Sequence, residues 1–165
     1  MAIKGARPEH GQLAPNLIVR NTQEAIEFYK RAFGAQVLYC APLPNGENRH
    51  AKLRIMNAVF AVTQEDSDPQ KQRERAPGRL ASPQTIGGTT SILEIYVDDP
   101  DAMFERAVGA GATPTCPMTD SFWGDRYGWV TDPFGYIWAL AGVKEELTPE
   151  QVKQRMDDMF AKMGH

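Results

Sequence analysis

The chain has 165 residues, 42% of them hydrophobic and 24% charged, which excludes a dominantly disordered protein and fits one globular domain or two small fused modules. Eighteen basic against 21 acidic residues leave a net charge of −3, so no basic field exists to hold a nucleic acid or an anionic membrane. No apolar run approaches the roughly 20 residues that span a bilayer, and Met1 to Leu13 is polar and broken by Pro8 and Gly11, so a cytoplasmic location is expected. Cys40 and Cys116 stand far apart without a Cys-x-x-Cys spacing or a histidine neighbour, and read as core or strand residues.

In chain order, Asn16-Leu17-Ile18-Val19 reads as a short apolar strand, with Asn21 or Thr22 as the cap of a helix from Gln23 to Phe33. Ala25, Ile26, Tyr29, Ala32 and Phe33 recur there at helical spacing, and Gly34 supplies the stop. Three strands follow, Gln36 to Ala41, Arg49 to Ile55 and Ala58 to Thr63. Pro42-Leu43-Pro44-Asn45-Gly46 and Met56-Asn57 make the turns between them. The unit is β-α-β-β-β.

Residues 64–90 are polar, rich in proline and glycine, and read as a mobile connection. The same order then returns. Ile92 to Val97 is a strand, Asp101 to Ala110 a helix closed by Gly111, and Thr113 to Cys116, Tyr127 to Thr131 and Tyr136 to Ala141 are strands. Glu24 to Phe28 lies over Asp101 to Glu105, Phe33-Gly34-Ala35 over Ala110-Gly111-Ala112, and Ala58 to Val62 over Tyr136 to Leu140. A duplication with a period of about 77 residues is therefore the main organising fact. Four segments result: a first module over 13–63, the connection over 64–90, a second module over 91–143 and a C-terminal helix over 148–163. That helix opens on Thr148-Pro149-Glu150-Gln151, a capping box with proline at its first position. Its apolar stripe of Val152, Met156, Met159, Phe160 and Met163 needs a cover, either the chain's own sheet or a partner subunit.

On these residues the chain resembles the vicinal oxygen chelate superfamily of glyoxalases, bleomycin-resistance proteins and extradiol dioxygenases. The carriers are Asn16 to Val19, Ala25 to Ala35, Ile95 to Asp101 and the Asp132-Pro133-Phe134-Gly135 turn with Tyr136 to Trp138; the run Asp120 to Gly128 is similar to the family's PhnB-like branch. The resemblance implies an α+β fold in which two tandem βαβββ modules form an open, cup-shaped sheet with helices outside, a small-molecule cavity on the concave face and assembly as a homodimer. Whether the cup closes within one chain or between two stays open. Strand alternation turns Leu17, Val19, Leu93, Ile95 and Val97 to the helices, and Asn16, Ile18, Ile92, Glu94 and Tyr96 to the cup. Likewise Ala51, Leu53 and Ile55 face the helices, and His50, Lys52, Arg54, Tyr127, Trp129 and Thr131 face the other way.

The resemblance also implies where a metal would sit, since metal-dependent members take one ligand from the first and one from the last strand of each module. Those positions are read here as Ala14, Ala61, Ile92 and Ala139, none of which can ligate, so no metal or other cofactor is expected. An unconventional set of His50, Glu94 and Asp125 is the alternative. The expected ligand-binding residues are His50, Lys52, Arg54, Glu94, Tyr96, Trp123, Arg126, Tyr127 and Trp129. This is the make-up of a small-molecule pocket, apolar with a few placed charges, to which Phe122 is a further candidate. Trp123 is expected to swing over the opening from its glycine-flanked loop, and Glu94 to pair with Lys52, Arg54 or Arg126 unless a ligand meets it. Phe134 and Trp138 read as core, and His10 and His165 as solvent-exposed. Two functions fit: a binder that stacks a planar or cationic small molecule on Trp123, Tyr127 or Trp129 against Glu94, or a glyoxalase-type lyase or isomerase. In the second, Glu94 or His50 is the catalytic base that moves a proton next to a carbonyl, and Arg54 or Arg126 holds the oxyanion.

Overall fold

The computed structural model describes residues 13–42, 48–66, 68 and 81–164. Residues 43–46 of the expected turn, much of the connection, His10 and His165 lie outside them. The chain divides into two units between Thr90 and Ser91. The first holds β1 (Asn16–Val19), α1 (Thr22–Phe33), β2 (Gln36–Pro42), β3 (Asn48–Ile55), β4 (Ala58–Gln64) and a helical turn α2 (Pro83–Ile86). The second holds β5 (Ile92–Tyr96), α3 (Pro100–Ala110), β6 (Thr113–Asp120), β7 (Asp125–Thr131), β8 (Ile137–Val143) and α4 (Pro149–Met163). Each sheet is mixed, in the orders β1-β4-β3-β2 and β5-β8-β7-β6, with the first strand parallel to the last and the other pairs antiparallel. This is the expected α+β, twice-repeated βαβββ order.

The helices form where the caps and periodicity predict. Asn21 Oδ1 accepts from the amides of Gln23 and Glu24 at the start of α1, and Gly34 ends it at φ 67°. The buried face of α1 brings Tyr29 against Phe60, edge to face with ring centroids 5.4 Å apart, above fully covered Val19, Leu53 and Val62. In the second unit Val130, Trp138 and Leu140 are buried with the helix-side residue Ile95. The Asp-Pro-Phe-Gly turn is held by one buried carboxylate. Asp132 Oδ1 accepts from the amides of Phe134 and Tyr136, and Oδ2 from Trp138 Nε1, each at 2.9 Å. Phe134 and Trp138 are thus core residues.

The strand boundaries differ from the sequence reading most at β6 and β7. β6 runs on to Asp120, its pairing with β7 irregular between Pro114 and Thr119, and β7 starts at Asp125 rather than Tyr127. Within the described end of the connection, α2 is capped by buried Ser82 and tied to the first unit. Glu65 accepts from the Ser82 amide and the Thr85 hydroxyl, each at 2.7 Å, and Arg20 donates to Thr85 Oγ1 and Gln84 O. Composition alone hides such a tie, because it depends on single donors. α4 carries the predicted capping box, and Arg155 pairs with Glu145 at 2.6 Å; along its stripe Val152, Met156 and Met159 are half-buried and Phe160 is exposed.

Candidate functional site

The face of the second sheet turned away from α3 is built by register. Tyr96 lies beside Ala141 and that beside Tyr127; Glu94 lies beside Ala139 and that beside Trp129; Ile92 lies beside Ile137 and that beside Thr131. The alanines are covered, while Tyr96 (49%), Ile92 (47%) and Trp123 (37%) stay exposed. Phe122, Trp123, Tyr127 and Trp129 follow one another edge to face, with centroid separations of 4.9, 5.4 and 6.1 Å.

Asp125 organises this face. Its Oδ2 accepts from the Tyr96 hydroxyl at 2.8 Å and from Trp123 Nε1 at 2.9 Å, although the residue is only 7% exposed. That hydrogen bond, with burial and the nearby carboxylates, pushes the Tyr96 phenol up to about 12. The Trp123 turn is closed by Gly124 N to Ser121 O and docked by the amides of Lys144 and Glu145 on Gly124 O. Gly124 has a φ of 100°, and a Cβ there would strike the Glu145 carbonyl, so only glycine permits the docking. Trp129 Nε1 is buried with no acceptor among the described residues.

Arg126 is misplaced by the sequence reading. It points to the helix side, donating to Asp101 from Nε at 2.9 Å and from Nη2 at 2.8 Å, with Asp120 at 3.3 Å from Nη1. Arg126 holds the Asp101 carboxyl, and Lys144 with Arg126 that of Asp120, below the usual carboxylate range. These groups line an open groove of about 420 Å³ beside the start of α3. Glu94 is exposed and has no ion-pair partner among the described residues, so it does not pair with Arg126.

In the first unit His50, Lys52 and Arg54 lie on the sheet face turned away from α1, as alternation predicts, each half-buried. His50 Nδ1 is 2.9 Å from Thr63 Oγ1, whose hydroxyl donates to Asn16 Oδ1 at 2.9 Å. Burial first, and Lys52 second, lower the His50 pKa below its usual 6.5.

The glyoxalase/bleomycin resistance protein/dioxygenase family model matches residues 11–140. The chain belongs to this superfamily. It is 40% identical over 144 residues to an uncharacterised protein of Mycobacterium bovis, covering 87% of this chain and 91% of the relative. An uncharacterised protein of Mycobacterium tuberculosis is equally similar, with 81% of its own length covered. TioX from Micromonospora sp. ML1 superposes with a TM-score of 0.62 and 26% identity over 79% of this chain and 97% of TioX. A glyoxalase-related enzyme from Fulvimarina pelagi does so with a TM-score of 0.63 and 22% identity over 80% and 88%. The second likeness speaks for the fold alone.

The positions expected for the superfamily's metal, Ala14, Ala61, Ile92 and Ala139, carry no donor side chain; by strand pairing Ala61 lies beside Asn16 and Ala139 beside Glu94. Each pair still contains an alanine, and a divalent ion needs several converging nitrogen or oxygen donors. These residues do not fit that metal. Among the described residues no group of three or more His, Cys, Asp or Glu is placed to hold one.

Proposed function

We propose that the chain binds a planar, cationic small molecule on the aromatic face of its second unit. The observation that carries this reading is the composition of that face. Glu94, Tyr96, Asp125, Tyr127 and Trp129 register together there, and Arg126, the one cation of β7, is turned to the other side. Neither lysine nor arginine occupies a registered position on this face among the described residues. Aromatic rings with an unneutralised carboxylate attract a cation by stacking and by charge. The hydrogen bond from Trp123 Nε1 to Asp125 holds the indole in place, which lowers the ordering cost of such stacking.

The reading extends to a PhnB-like member, since Asp120 to Gly128, the run with that resemblance, supplies the Trp123 turn and Asp125. It also extends to a homodimer in the cytoplasm. Among the described residues no helix is long and apolar enough to cross a membrane. The test is titration with the planar cation proflavine, followed by tryptophan fluorescence. Glu94→Gln and Trp123→Ala are each expected to weaken binding by at least about fivefold with a melting temperature near wild type. Unchanged affinity in both variants overturns the proposal.

A further inference from the structure

We infer that the first unit carries a second, chemically opposite site: an oxyanion site in which His50 accepts a hydrogen bond from a hydroxyl of the ligand while Lys52 and Arg54 hold the anion. This goes beyond the reading of the second unit and rests on none of its residues. The argument starts from hydrogen counting. Thr63 has a single hydroxyl hydrogen, which it donates to Asn16 Oδ1, so the hydrogen in the 2.9 Å contact with His50 Nδ1 belongs to the histidine. A neutral imidazole protonated at Nδ1 carries its lone pair at Nε2. Burial and Lys52 both disfavour the imidazolium, which keeps that lone pair available near neutral pH. His50 is thereby an acceptor of fixed tautomer.

Its surroundings select the ligand's charge. The residues registered on this face are Ile18, Thr63, His50 and Ala41 in one row, Asn16, Ala61, Lys52 and Tyr39 in the next, and Val59, Arg54 and Gln36 beyond. Among the described residues in register on this face there is no carboxylate, and the two charged members are cations. Successive outward side chains on β3 are about 6.8 Å apart, so a small molecule with a hydroxyl beside a carboxylate reaches His50 and Lys52 together. Arg54 stands one position further on.

The experiment is NMR of the full chain labelled with nitrogen-15 histidine, using glycolate and acetate as probes and His50→Gln to assign the signals. Expected are an Nδ1-protonated His50 near neutral pH, a shift of its Nε2 signal on adding glycolate, and a several-fold smaller shift with acetate, which lacks the hydroxyl. Lys52→Gln should weaken glycolate binding by at least about threefold. Thr63→Val should alter the tautomer balance and Thr63→Ser preserve it, which separates the hydrogen bond from mere loss of fold. The inference is overturned by an Nε2-protonated His50 in the wild-type protein, by equal responses to both acids, by no response at tens of millimolar glycolate, or by unchanged affinity in Lys52→Gln.

Discussion

His50, Lys52 and Arg54 of the first unit occupy the strand positions that Tyr127, Trp129 and Thr131 occupy in the second, and Asn16 and Ile18 those of Glu94 and Tyr96. On the helix side the same comparison pairs like with like: Leu17 with Ile95, Leu53 with Val130, Phe60 with Trp138 and Val62 with Leu140. The two copies therefore share a core and differ on their open faces, one polar and cationic, the other aromatic and anionic. Packing demands apolar volume on the covered side whatever the ligand. The free side is where a duplicated frame acquires chemistry, because a fold does not dictate its site.

The comparison breaks most sharply at Gly142, whose counterpart in the first unit is Gln64. A Cβ on Gly142 would lie 2.7 Å from the Val97 carbonyl and 3.0 Å from the Pro100 ring, where α3 begins against β8. Backbone is not free to give way there. Gly142→Gln, which installs the first unit's residue, is expected to cost about 3 kcal/mol and to lower the melting temperature by about 10 °C. Thermal unfolding within a degree of wild type would show that the helix shifts without cost.

Next in size is Asp125→Ala. It leaves the Tyr96 hydroxyl and Trp123 Nε1 without their shared acceptor, so we expect a loss of about 2 kcal/mol in denaturant unfolding. Tryptophan emission should change as well, since Trp123 loses its fixed pose. Wild-type stability with wild-type emission would remove Asp125 from the organisation of that face.

Much of this is legible in the sequence. Alternation placed His50, Lys52, Arg54, Glu94 and Tyr96 on the open faces because a strand's side chains have period two. The same period leaves register open, because a slip of two residues keeps every side chain on its face; that Asn16 lies beside Ala61 and Glu94 beside Ala139 is a long-range fact of parallel pairing. Arg126 was misplaced because β7 was started at Tyr127; with Asp125 in the strand, alternation sends Arg126 to the helix side. The Tyr96 bond to Asp125 has no local sequence signal, since Tyr96 reaches it from another strand.

A smaller effect is expected at Glu65, which ties α2 to the first unit at a position where the second unit has Val143. Burial would raise its pKa, but hydrogen bonds from Ser82 and Thr85, with Arg20 nearby, outweigh it and hold the carboxyl below the usual 4.5. The depressed value fixes the sign. Its stabilisation is fully present above about pH 4.5 and is lost as pH falls through the lower folded value. Limited proteolysis near α2 should therefore accelerate in acid in the wild-type protein. Glu65→Gln should cleave faster at neutral pH, with about 1 kcal/mol lost, and show a weaker acid response. Equal cleavage of both proteins at neutral pH would leave α2 held by something else.

The smallest expected change sharpens the comparison at Tyr96, whose counterpart Ile18 is buried and has no hydroxyl to place. Tyr96 donates to Asp125, and ionising the phenol would remove that donor and set two negative charges together. The pKa is accordingly pushed from 10 up to about 12. A value raised on folding means that the contribution is intact below pH 10 and disappears as pH rises toward 12. In an ultraviolet titration of the native protein Tyr96 should ionise late, and Tyr96→Phe should remove its share of the late absorbance change. The variant keeps the Trp123 bond to Asp125, so its stability at neutral pH should fall by only about 1 kcal/mol. If Tyr96→Phe removes absorbance change near pH 10 and leaves the late part of the curve as in the wild type, the Tyr96 hydroxyl is free in solution. The second unit's face would then be aromatic in the way the first unit's Ile18 is apolar, by shape alone.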